Sequence, residues 1–159
     1  MGNEYNMCDA IAKKYKKDES ETNTQYHQRI KKDFLNKIFQ KRHFFRNVEI
    51  KFDKGQVTVG KNKEIISFHH VTSSQKSKTE KRVIDIERYE KCMLIFAILD
   101  SCKPITCMHI TITCNPSFSN RLRVYCSKYR YVIILEDKQK KYDFITAFPV
   151  TKNNENKFI

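Results

Sequence analysis

The chain has 159 residues, with 31 Lys and Arg against 18 Asp and Glu and a formal net charge of +13. That is one domain's worth of length, enough to bury roughly two thirds of the extended surface without metal or disulfide staples. The cationic surplus predicts a polyanionic partner, nucleic acid or an anionic membrane surface, although the excess of lysine and asparagine over arginine is also what AT-rich coding produces. The longest apolar run, Cys92 to Leu99, is too short to span a bilayer, so no membrane segment is expected.

Met1 to Ser20 contains no apolar signal-type core, so the six cysteines are expected to be reduced. Without a C-x-x-C pair they read as small buried hydrophobes and no metal site is expected. A Gly2 start without Ser or Thr at position 6 fails the myristoylation pattern. No P-loop, dinucleotide fingerprint, H-E-x-x-H or G-x-S-x-G occurs, and three glycines leave little material for a phosphate-cradling loop. Nucleotide-triphosphate and serine-hydrolase chemistry are set aside, and no cofactor is expected.

Residues 1–23 are polar and charged, able to bury little, and read as a separate N-terminal helix or frayed tail ahead of one domain over 24–159. From Thr24 to about Phe44, Tyr26, Ile30, Phe34, Leu35, Ile38 and Phe39 recur at spacings of three and four, which predicts an amphipathic helix. Short alternating runs follow at Val48–Phe52, Gln56–Val59 and Glu64–Phe68, split by turn residues, and predict three strands. The third delivers Ser67-Phe68-His69-His70-Val71-Thr72-Ser73 to a polar, lysine-rich loop over Ser73 to Thr79. Functional groups gather where a strand hands over to a loop, and histidine exchanges protons near neutral pH. A histidine beside a strand is also an ordinary hydrogen-bonded residue.

A second helix is predicted from Asp85 to about Asp100, then a strand over Ile105–Thr113 holding His109 as a packed residue. Three strands close the chain at Arg121–Cys126, Tyr129–Glu136 and Tyr142–Val150. Alternation sends Arg121, Arg123 and Tyr125 to one face and Leu122, Val124 and Cys126 to the other. The fold class is therefore α+β, with an N-terminal and a central helix packed on a mainly antiparallel sheet.

Two segments carry a resemblance. Ile66-Ser67-Phe68-His69-His70-Val71-Thr72 resembles the nF-x-H-L-T element of the phage-associated branch of the barnase, EndoU, colicin and RelE-like (BECR) ribonuclease superfamily. Tyr131–Leu135 followed by Tyr142–Phe148 resembles its closing strands, which end in a T-A-F/Y motif. The resemblance spans about residues 45–150 and implies a BECR-like fold and metal-independent RNA cleavage. His70 falls on the family histidine, Thr72 on its threonine, Thr146 on the threonine of the last strand, and Arg121 or Arg123 on the basic residue of the preceding strands. Ser73 stands where the family has glycine, and His69 is an additional histidine that leaves the choice between His69 and His70 open.

Such a ribonuclease must deprotonate a ribose 2′-hydroxyl, protonate the departing 5′-oxygen and neutralise charge on the phosphorane. His70 and His69 fit the proton transfers, Arg121 and Arg123 the phosphate, and Thr146 its orientation; Thr72, Lys128, Tyr125 and Tyr129 are candidates for binding RNA, the tyrosines by stacking on bases. RNA is the expected partner, with an immunity protein or antitoxin as a second, and the expected place of action is the cytoplasm, of the host or of a target cell. The other reading is a non-catalytic RNA- or DNA-binding module whose histidines are structural.

Overall fold

A computed structural model describes residues 7–75, 77, 80–101, 108–118 and 120–159. Its architecture is α+β, with helices packed on a mainly antiparallel sheet. Helix α1 spans Met7–Lys14 and α2 spans Asn23–Gln40. Thr22 opens α2 with a capping box, its hydroxyl accepting from Gln25 N while Gln25 Oε1 accepts from Thr22 N. Tyr26, Ile30, Phe34 and Ile38, four apart, form the inward stripe, whereas Phe39, expected on that stripe, is 53% exposed.

The N-terminal segment buries more than its composition suggests. Cys8 and Tyr15 enter the main core, and Asp9 of α1 accepts hydrogen bonds from Lys128 Nζ (2.7 Å) and the Tyr129 hydroxyl. The boundary expected at residue 23 therefore does not mark the edge of the packed body.

Strands β1 (His43–Phe45) and β2 (Val48–Lys51) form a hairpin whose turn residues Arg46 and Asn47 have φ of 52° and 64°. Hairpin β3 (Gln56–Val59) and β4 (Asn62–Ile65) stands apart as its own two-stranded sheet. Helix α3 covers Ile66–Thr72, and β5 (Ser73–Ser74) pairs with β6 (Val83–Ile84). The central helix divides into α4 (Ile86–Lys91), capped by the Asp85 side chain, and α5 (Leu94–Ser101). Strands β7 (Ile110–Cys114), β8 (Arg121–Cys126), β9 (Tyr131–Asp137) and β10 (Tyr142–Pro149) precede a 3-10 turn at Lys152–Lys157. Ile105 to Cys107 of the strand expected over 105–113 lie outside the described residues, and His109 sits in the turn before β7.

The sheet order is β1-β2-β10-β9-β8-β7. Every pairing is antiparallel except β2 with β10, which is parallel and confined to Ile50↔Tyr142 and Lys51↔Asp143. One face, carrying Val124, Cys126, Tyr131, Ile133, Leu135, Phe144 and Ala147, joins the helices in the main core. The other carries Tyr125, Val132 and Ile134, and Phe158 caps it from the C-terminal turn. Phe144 and Ala147 share the main-core face at an odd separation because a bulge interrupts β10 between Phe144 and Thr146.

Helix α3 is the main departure from the sequence reading, which ended a strand at the histidines. Ile66 N donates to Gly55 O (2.8 Å), turning the chain out of β4. Ser67, Phe68, Val71 and Thr72 then point inward with helical spacing. The buried hydroxyls are satisfied locally: Ser67 donates to Asp53 O, Thr72 to Phe68 O and Ser73 to His69 O. Phe68 anchors the helix, its ring 5.3 Å from Phe34 and 5.7 Å from Tyr89. Replacing this fully buried ring, F68A, is expected to cost about 3–5 kcal/mol in urea unfolding; a loss below about 1 kcal/mol would show that α3 is not held by this contact.

Candidate functional site

Because Phe68, Val71 and Thr72 take the inner side of α3, His69 and His70 fall on its outer side. Their ring centroids lie 6.3 Å apart, and neither ring makes a hydrogen bond among the described residues. Partial burial lowers the pKa of each, and the neighbouring Arg82 guanidinium lowers it further. Glu64 opposes this at His69 and Asp53 at His70. Both imidazoles are thus held on the neutral side at pH 7.

Arg82 and Arg88 converge on the C-terminal end of α3, where unpaired helix carbonyls attract cations. Arg82 Nη2 donates to His70 O (3.2 Å) and Ser73 O (2.7 Å), its Nε to Ser73 Oγ (2.9 Å) and its Nη1 to Gln75 Oε1 (3.2 Å). These bonds commit its fork to the backbone. Arg88 is less occupied: Nη1 donates to His70 O (3.3 Å), Nε lies 3.8 Å from Asp85, and its Cζ stands 5.6 Å from the Phe148 ring centroid.

The residues expected on the closing strands occupy the opposite sheet face. Arg123, Ile134 and Thr146 are in register across β8, β9 and β10, with Thr113 of β7 next in the row. Two strand spacings, about 10 Å, separate the Arg123 and Thr146 backbones. Arg123 turns away from Thr146, donating to Thr113 Oγ1 (3.2 Å) and Cys114 O (3.3 Å), with Cζ 5.2 Å from the Phe158 centroid. Arg121 pairs with Glu136 (3.5 Å) and lies 4.7 Å over Phe118.

Between this face and α3 stand two rings. Arg88 stacks on Phe148, whose centroid is 6.2 Å from that of Phe158, and Arg123 stacks on Phe158. The expected catalytic residues therefore flank one aromatic bridge and do not converge on a single point. None of the groups that shift the two histidines is Arg121 or Arg123.

The expected binding residues are spoken for. Thr72 is buried, its hydroxyl donating to Phe68 O at 2.7 Å. Tyr125 is fully buried and donates to Glu155 Oε1 (2.7 Å), so it offers no platform for a base. Lys128 and Tyr129 hold α1 through Asp9, whose carboxyl their hydrogen bonds keep below the usual range.

Arg82 and Arg88 were missed in the sequence because each lies in a charged run that reads as solvated surface; nothing local shows that both reach the His70 carbonyl. Among the described residues no group of three His, Cys, Asp or Glu is placed to hold a metal ion, and no helix is long and apolar enough to cross a membrane. No family model matches the chain, and no curated protein or solved structure matches it.

The lowered histidine pKa values have a consequence for stability. In the unfolded chain His27, His69 and His70 bind protons at the ordinary value of about 6.5, whereas in the fold burial lowers all three. The unfolded state gains protons first as pH falls, so stability is retained above about 6.5 and drops below it until the folded-state values are passed. The urea midpoint should decrease between about pH 7 and pH 5, less steeply in H69A/H70A; equal slopes in the two proteins would mean that this pair does not contribute.

Proposed function

We propose that the protein is an endoribonuclease in which His69 and His70 carry protons, centred on α3. The observation that carries this reading is the outward pair of imidazoles, 6.3 Å apart, held neutral and without hydrogen-bond partners among the described residues. A phosphodiester fits between two such rings when each makes a hydrogen bond of about 3 Å to it. One neutral imidazole takes the proton of the 2′-hydroxyl as the 2′-oxygen to phosphorus bond forms. The other, protonated, gives its proton to the 5′-oxygen as the phosphorus to 5′-oxygen bond breaks. A 2′,3′-cyclic phosphate and a 5′-hydroxyl result.

Arg88 is the cation best placed to face the phosphate, since Arg82 spends its donors on Ser73, Gln75 and His70. The resemblance of Ile66–Thr72 and of the closing strands to the BECR ribonucleases supports the same chemistry, with Arg121, Arg123 and Thr146 serving RNA from the adjoining sheet face. RNA is then the substrate and an immunity protein or antitoxin a fitting partner, with action in the cytoplasm of the host or of a target cell. A second reading, a nucleic-acid-binding module without catalysis, is favoured by the separation of Arg123 from α3.

Incubation of total RNA with the protein in EDTA separates the two. Expected are fragments ending in cyclic phosphate, a rate lowered about 10²-fold or more in H69A/H70A, and a bell-shaped profile with its maximum below about pH 6.5, where one imidazole is protonated and one neutral. RNA left intact over the whole pH range, with gel-shift binding retained, would establish the second reading.

A further inference from the structure

The chain leaves β2 at Lys51 and runs outward, opening two adjoining clefts of about 370 and 440 Å³ that share Lys51, Phe52, Lys54 and Lys141 as walls. The first extends past Lys140 to Lys41 and Arg42, and the second reaches Asp53, Asp143 and Ile145. Arg42 is paired with Glu49 and Lys141 lies 3.9 Å from Asp143. Lys41, Lys51, Lys54 and Lys140 make no ion pair among the described residues. Glu49, Asp53 and Asp143 also line the clefts, but Lys41, Arg42, Lys51, Lys54, Lys140 and Lys141 outnumber them, and a cationic concavity favours a polyanion.

Two exposed aromatic rings stand against cations that line the first cleft. Phe39 is 53% exposed with Lys54 Nζ 5.5 Å from its centroid, and Phe44 is 43% exposed with Arg42 Cζ 5.4 Å from its centroid. A ring open to solvent beside a cation suits a nucleotide, whose base stacks while its phosphate meets the charge. Stacking of this kind needs unpaired bases, which selects a single strand over a duplex. The concave shape and the interspersed carboxylates of Asp53 and Asp143 fit a linear strand better than a plane of lipid headgroups.

The far end of the groove also has a direction. Asp53 lines the second cleft, and its carbonyl accepts a hydrogen bond from Ser67 Oγ of α3 at 2.6 Å. We infer that single-stranded RNA lies along the Lys41-to-Lys54 groove beside β2, stacking on Phe39 and Phe44, and is led past Asp53 toward His70. The inference rests on the ribonuclease reading for the purpose of this path, but its binding test does not require cleavage.

The test uses a fluorescein-labelled 2′-O-methyl oligouridine of about 12 nucleotides, which cannot be cut, with Kd read by anisotropy across salt concentrations. For K51E/K54E/K141E, Kd should rise at least tenfold and the salt slope fall by about 2, near 0.7 for each lost phosphate contact. The control K13E/K16E/K17E reverses an equal number of charges in a separate lysine-lined cleft and should leave Kd within about twofold. Equal losses in both variants, or none in the groove variant, would overturn the inference. If the groove variant fails to fold, 4-thiouridine cross-linking of the unaltered protein decides: adducts at Phe39 or Phe44 support the path, and adducts confined to the Arg121 and Arg123 face overturn it. Groove-mapped binding without RNA cleavage would sink the ribonuclease reading and leave the RNA groove standing.

Discussion

The fold turns on a parallel pairing that lasts two residues. Once β2 has met β10 at Ile50↔Tyr142 and Lys51↔Asp143, the rest of the β10 edge loses its strand neighbour, and an unpaired edge in a globular protein must be covered. The chain goes out through β3, returns through β4 and is turned by the Ile66 to Gly55 bond into α3, which packs along β10. With Phe68 committed to Phe34 and Tyr89, the outer side of α3 has room only for partly exposed residues. The outward, half-buried histidines and the cationic clefts are two results of that one departure.

Charge is organised around the same place. Arg82 and Arg88 satisfy the end of α3 that holds His69 and His70, and Arg82 adds to the burial that depresses the imidazole pKa values. The opposite sheet face follows another logic. There Arg121 and Arg123 lie over Phe118 and Phe158, and their stems cover a small apolar cluster while their heads find Glu136, Thr113 and Cys114 O.

How much of this the sequence discloses depends on where the deciding contacts lie. Helix α2 is legible because Tyr26, Ile30, Phe34 and Ile38 repeat over more than three turns, and β8 to β10 because β-branched and aromatic residues alternate between clear turns. The α3 segment misleads since Ile65 to Val71 is too short to separate a period of two from one of 3.6, and the Ile66 to Gly55 bond that decides it is a tertiary fact. The placement of α1 includes a contact of Asp9 with residues 119 and 120 positions away. The histidine pair is visible as residue types; its exposure, its arginine neighbours and its distance from Arg123 are set by packing alone.

The bulge in β10 has an implication for how this strand can vary. Phe144 and Ala147 belong to one core while Phe148 belongs to the other side, and the extra residue at position 145 is what reconciles those assignments with a period of two. Substitutions along β10 disturb one side chain each. A change in its length by one residue would exchange the inner and outer sets beyond the bulge at a stroke, so this strand is open to drift in composition and closed to insertion or deletion.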